Sequence, residues 1–198
     1  MISNIKTICL NGIDGNLVEV QTDIAGGLPN IEIVGLPDTS VKESKERIRT
    51  AIKNSEIEFP SRRIVINLAP ASTRKEGTSY DLPIAIGILH ALGEIFANDL
   101  ENTIFIGELS LDGKINRING VLPMCIEARN LGIKRVILPK ANEREAGVIE
   151  NLEIIGVNSL KEVVKYLNKE MEIEPIKVDI VKEFNKKDRQ DFDFSEVK

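Results

Sequence analysis

Strand-like apolar runs fill the first 34 residues, and helical and strand-like periods then alternate along the rest of the chain. Residues 5–10 and 15–23 are strand-like runs separated by Asn11-Gly12 and Asp14-Gly15, which predicts a hairpin. After the breaker Ala25-Gly-Gly-Leu-Pro29, residues 30–34 give a third strand that stops at Gly35-Leu-Pro-Asp38. From there Val41, Ser44, Ile48, Ala51 and Ile52 fall on one helical face, and Ser40 with Glu43 has capping-box spacing. Residues 63–68 read as a buried strand and residues 82–92 as a buried helix.

Farther along, residues 103–109 and 114–118 flank Asp112-Gly113, predicting a second hairpin. Amphipathic helices are expected at 121–131 and 159–167, the latter capped by Ser159, with a short charged helix at 141–147. Strands are expected at 134–138 and 152–157. Hairpins mixed with strand-helix-strand units place the chain in the α+β class, with a mixed sheet and helices packed on it. Residues 1–168 form the expected domain. Residues 169–198 are dense in Lys, Glu and Asp and read as a charged linker, in which Phe184, Phe192 and Phe194 are the exceptions.

Between the strand at 63–68 and the helix after it lies a polar loop, Asn67-Leu-Ala-Pro-Ala-Ser-Thr-Arg-Lys-Glu-Gly-Thr-Ser-Tyr-Asp81. Asp81 is expected as the N-cap, so that the loop delivers Gly77, Thr78 and Ser79 to a helix N-terminus suited to an anion, an oxyanion or a nucleic-acid backbone. Arg74 and Lys75 flank it. Arg62 and Arg63 precede the strand, and Lys42, Lys45, Arg49 and Lys53 line the polar face of the first helix. That face reads either as ordinary solvated surface, since Glu43 and Glu46 dilute it, or as a phosphate-binding row.

The 198 residues carry a net charge of −5, which opposes a surface basic throughout and leaves a local basic face as the only nucleic-acid option. Cys9 and Cys125 lie in apolar segments without CxxC spacing and read as buried thiols in a reducing compartment. The single histidine, His90, reads as a packed residue, and no metal-ligand spacing is present. No signal peptide is evident, and no apolar run approaches the ~20 residues of a membrane span, so a cytoplasmic location is expected.

Residues 27–38 (Gly-Leu-Pro-Asn-Ile-Glu-Ile-Val-Gly-Leu-Pro-Asp), Phe59-Pro-Ser-Arg-Arg63, Asn67-Leu-Ala-Pro70, Arg74-Lys-Glu-Gly77 and Asp81-Leu-Pro-Ile-Ala85 closely resemble the N-terminal domain of magnesium-chelatase-like AAA+ proteins of the YifB/ComM type. That resemblance implies a non-catalytic assembly and DNA-handling domain, active in recombination or in DNA uptake during natural transformation. Its implied partners are its own AAA+ module, neighbouring subunits of a homo-hexamer, and DNA, with Arg62, Arg63, Arg74, Lys75, Lys42, Lys45, Arg49 and Lys53 as the contacts. ATP and magnesium would belong to the AAA+ module, because these residues contain no Gly-x-x-x-x-Gly-Lys-Ser/Thr loop and no cofactor of their own is expected.

More distantly, Glu76-Gly-Thr-Ser79, Gly107-Glu-Leu-Ser-Leu-Asp-Gly113 and residues 126–142 are similar to the proteolytic domain of Lon proteases, which implies a ribosomal-protein-S5-domain-2-like fold. Ser79 then matches the nucleophile and Met124 stands where the activating lysine belongs. A serine hydroxyl without a base is a poor nucleophile. Lys75, four residues away, is expected to be solvated and protonated. Two alternatives stand beside the DNA-handling domain: a Lon-type serine peptidase using Ser79, and a protein-binding module without nucleic acid.

Overall fold

A computed structural model describes residues 2–97 and 99–178. The aromatic positions 184, 192 and 194 of the expected linker lie outside the described residues. Strands β1 (Ser3–Asn11), β2 (Asp14–Ala25) and β3 (Asn30–Val34) precede helix α1 (Thr39–Asn54). Next come β4 (Arg63–Ala69), α2 (Asp81–Leu92), β5 (Thr103–Phe105), β6 (Glu108–Leu109) and β7 (Ile115–Asn116). Helix α3 (Val121–Asn130), β8 (Arg135–Pro139), a 3-10 turn, α4 (Glu143–Ala146), β9 (Glu153–Val157) and α5 (Leu160–Leu167) complete the order.

Seven strands form one sheet in the order β3-β4-β2-β1-β5-β8-β9. Its pairings are mixed: β1 with β2 and β2 with β4 run antiparallel, and the other four are parallel. The first hairpin closes at Asn11 opposite Asp14, as the Asn-Gly and Asp-Gly signals predict. The second differs from expectation. Residues 103–109 do not form one strand, because β5 joins the main sheet beside β1 and β8 while β6 leaves to pair with β7. The break falls at Gly107, whose amide donates to the Ser79 carbonyl (3.0 Å) and whose carbonyl accepts from the Leu82 amide (2.9 Å). A Cβ there would press on the Ile115 side chain at 3.0 Å and on Leu82 at 3.4 Å, so glycine suits the close approach to α2 and β7.

Alternation along the strands divides the core in two. Ile5, Cys9, Val18, Val20, Ile64, Ile66, Leu68, Phe105, Ile137 and Ile155 point to the face covered by α1, α2 and α5. Ile8, Ile104, Val136, Leu138 and Ile154 point to the opposite face, under α3 and α4. The buried stripe of α1 is Val41, Ser44, Ile48, Ala51 and Ile52, the set the sequence periodicity marks. Both cysteines are buried free thiols, and His90 is partly buried with Nδ1 2.9 Å from the Ser3 hydroxyl. No described helix is long and apolar enough to cross a membrane. The packed body continues past Asn168: the Ile176 amide bonds the Ile154 carbonyl (3.0 Å) and the Val178 amide bonds that of Gly147 (3.0 Å), with Ile173 and Ile176 against the core.

Two caps depart from expectation. Asp38, and not Ser40, caps α1, accepting from the Val41 amide at 2.8 Å. Asp81 is not a cap. It is the first residue of α2, wholly buried, and its carboxylate takes both the Nε (2.9 Å) and Nη2 (3.0 Å) hydrogens of Arg47 on α1 and the Leu109 amide of β6 (3.1 Å). Burial pushes this carboxyl up, while the Arg47 guanidinium and the Leu109 amide pull it back toward the charged form. Arg47, a quarter exposed, gains proton affinity from the same pair.

Removing one partner of a buried ion pair strands the other. Arg47→Met is expected to lower unfolding stability by roughly 3 kcal/mol, with most of that loss recovered in Arg47→Met/Asp81→Leu. Urea unfolding of these two variants checks this, and a double variant no more stable than Arg47→Met contradicts it.

Candidate functional site

The loop from Pro70 to Tyr80 leaves β4 and folds back over the turn that ends β3. Lys75 forms a parallel bridge with Pro37, its amide bonding the Leu36 carbonyl (3.2 Å) and its carbonyl the Asp38 amide (2.9 Å). The Gly77 amide adds a bond to the second Asp38 oxygen at 3.3 Å. Gly35 makes the turn possible, at φ +97°, where a Cβ would overlap the Leu68 carbonyl. One aspartate therefore caps α1 and anchors the loop.

The expected anion site at the start of α2 is largely occupied by the protein itself. The Asp81 amide bonds the Thr78 carbonyl, the Leu82 amide the Gly107 carbonyl, and Pro83 has no donor. Two carboxylates stand there too: Asp81, and Glu108, which accepts from the Thr78 hydroxyl and from the Asn116 side-chain Nδ2 (3.1 Å). A second anion would meet their repulsion.

Lys75 is the clearest departure from the sequence reading. It is not solvated: its relative exposure is 0% and its ammonium donates to the Pro70 carbonyl. Desolvation lowers its pKa below the usual 10.5. Ser79 is half-buried, and among the described residues no side chain hydrogen-bonds to its hydroxyl. Met124 is 5% exposed and packs in the α3-side cluster with Ile8, Ile104 and Ile106, whereas Tyr80 and Leu82 beside Ser79 belong to the α2-side cluster. The sheet separates the two clusters.

The basic residues sort differently from their order in the sequence. Lys45, Arg49 and Lys53 of α1 line a groove of about 150 Å³ with Arg62, Phe59, Pro60 and Pro29. An adjoining recess of about 430 Å³ is lined by Lys42, Lys45 and residues 30–33 of β3. The helix repeat spaces these cations over most of the ~24 Å length of a 16-residue helix. Arg49 lies over the Phe59 ring at 5.9 Å, a contact the sequence did not signal because ten residues separate the pair. Glu46 also lines the groove, the one acid among its walls. The remaining three basic residues stand apart. Arg63 points to the opposite sheet face and pairs with Glu32 (3.2 Å), Arg74 is exposed and pairs with Glu76 (3.0 Å), and Lys75 is interior. No group of three or more described His, Cys, Asp or Glu residues is arranged to hold a metal ion.

Residues 20–142 match the family model described as subunit ChlI of Mg-chelatase. The competence protein ComM of Haemophilus influenzae is 37% identical over 172 residues, covering 87% of this chain and 33% of that protein. The uncharacterized protein YifB of Escherichia coli is 39% identical over 166 residues, covering 84% and 33%. Lon protease 2 of Bacillus subtilis is 28% identical over 189 residues, covering 85% and 34%. The chain spans about a third of the length of these curated relatives.

Burying an ammonium against one carbonyl costs stability below its lowered pKa, and that cost is relieved as pH rises through the folded pKa toward 10.5. Lys75→Met is therefore expected to lie within about 1 kcal/mol of the parent at neutral pH and to lack the parent's gain in stability on the alkaline side. Unfolding measured across that range checks both; a persisting alkaline gain in the variant contradicts the assignment.

Proposed function

Since the chain belongs to the family of the Mg-chelatase subunit ChlI, with ComM and YifB among its relatives, we propose that it is the non-catalytic assembly and DNA-handling domain of a magnesium-chelatase-like AAA+ ATPase. The observation that carries the DNA reading is the convergence of Lys45, Arg49, Lys53 and Arg62 on one groove, with Lys42 continuing the row. In a protein of net charge −5, cations gathered on one helix face supply the local potential that a phosphodiester backbone needs. The Phe59 ring, packed against the core, lies under Arg49 and helps to hold its guanidinium at the groove.

In this reading residues 1–168 take the S5-domain-2-like fold, and the following segment leads to an AAA+ module that binds ATP and magnesium. The complete protein works as a cytoplasmic homo-hexamer in recombination or DNA uptake. Repetition of a shallow groove around a ring multiplies its affinity. In this reading the Lon likeness is a likeness of scaffold: a serine whose hydroxyl has no hydrogen-bonded base among the described residues, and a methionine in the lysine's place, supply no route for the proton of an attacking hydroxyl. Chelatase chemistry is not part of the proposal.

With the complete ATP-loaded protein, Lys45→Glu/Arg49→Glu/Lys53→Glu is expected to weaken DNA binding at least tenfold and to reduce the salt slope by roughly 2–3, while Lys75→Met leaves both unchanged. Fluorescence anisotropy at several salt concentrations reads this, and equal binding by parent and triple variant contradicts the groove. A fluorophosphonate reagent is expected to leave Ser79 unlabelled. Labelling that disappears in Ser79→Ala would instead establish the peptidase.

A further inference from the structure

The two sides of the seven-stranded sheet end differently. At β9 Ile176 makes an antiparallel bridge with Ile154, its amide bonding the Ile154 carbonyl (3.0 Å). At the other side β3 pairs with β4 alone, and among the described residues no strand pairs along its outer side. An unpaired edge presents a row of N–H and C=O groups that template a further strand, and proteins usually blunt it with lysine, proline or a bulge. Residues 30–34 contain no lysine or proline, and their one charge is Glu32, which keeps its negative character in an exposed surface pair with Arg63 at 3.2 Å. The edge is short and open.

What lies beside it selects the guest. Ile31 and Ile33 lean toward α1, where Lys42 and Lys45 line the recess of about 430 Å³ with residues 30–33. Glu32 and Val34 lean to the other sheet face, and Val34 is 38% exposed. A strand laid on β3 would send alternate side chains into the recess, toward the two lysines, and the rest beside Glu32 and Val34. Carboxylates suit the first set and small β-branched side chains the second, because an acid there would face Glu32.

We propose that the outer edge of β3 docks an extended acidic peptide of a partner protein, its main chain continuing the sheet and its alternate carboxylates meeting Lys42 and Lys45. A second copy of this chain fits less well, since antiparallel pairing of two β3 edges would set the lysine rows of both copies side by side. Nucleic acid would meet the cations and leave the row of strand donors and acceptors unused. The inference uses the backbone edge, which the DNA reading does not, so either can fail without the other.

The test uses the 198-residue chain and a fluorescein-labelled peptide, Asp-Val-Glu-Val-Asp-Val-Glu. A second form of the peptide is N-methylated at alternate amides, which keeps its charge and removes half of its strand donors. Saturable binding is expected, weakened at least tenfold by Lys42→Glu/Lys45→Glu and at least tenfold by methylation in one of the two alternate registers. Both protein forms should share one melting temperature, since the Lys42 side chain is exposed and Lys45 lies at the surface of α1. No saturable binding would overturn the proposal. Equal binding of every methylated form, with displacement by an oligothymidylate, would overturn it too by assigning the recess to polyanions in general. So would a mass in solution showing that β3 is already taken by a second copy.

Discussion

One buried carboxylate holds the working parts of this molecule in register. Asp81, with no exposed surface, begins α2 and receives Arg47 from α1 and the Leu109 amide from β6, so that two helices and the small hairpin share a single anchor. Its desolvation is unfavourable and is offset only while all three donors stay in place. The consequence for function is geometric. With Arg47 turned inward to Asp81 and the apolar stripe of α1 against the sheet, Lys42, Lys45, Arg49 and Lys53 can only face the β3 side, where the recess and the groove form. Electrostatics in the interior thus decides where charge appears outside.

The same arrangement ties the serine loop into the fold. The loop ending at Ser79 is spent on structure: its amides and carbonyls tie it to the β3 turn and to Gly107, and its lysine is enclosed beneath it. Thr78, Glu108, Asn116 and Ser110 form a chain of hydrogen bonds beside it that fixes the small hairpin. The cations that the proposed function uses lie instead along α1 and at Arg62, around the groove. Met124 stays in the apolar layer under α3.

Local pattern made much of this legible. The first hairpin, the buried stripe of α1, the buried helix α2 and the Ser159 cap of α5, which accepts from the Glu162 amide at 3.2 Å, all follow from periods and capping chemistry within a few residues. What stayed hidden depends on distant partners. Asp81 has the composition of a cap and becomes an ion-pair acceptor because Arg47, 34 residues earlier, reaches it. Lys75 reads as surface in a polar loop, yet the loop folds over it. The candidate site was half visible: the α1 row follows from helical spacing, but its junction with Arg62 and Phe59 needs the turn before β4, and Arg63 alternates to the wrong face. That β3 is an edge is a property of strand order, which no single segment encodes.

Hydrogen–deuterium exchange of the complete ATP-loaded protein, with and without a bound oligonucleotide, tests the central claim most directly, because it locates contact without altering any residue. Slowed exchange across residues 42–53 and 59–62 is the expected result. Slowing confined to residues 74–80 and 121–130, with α1 unchanged, would contradict it and return the function to the serine loop.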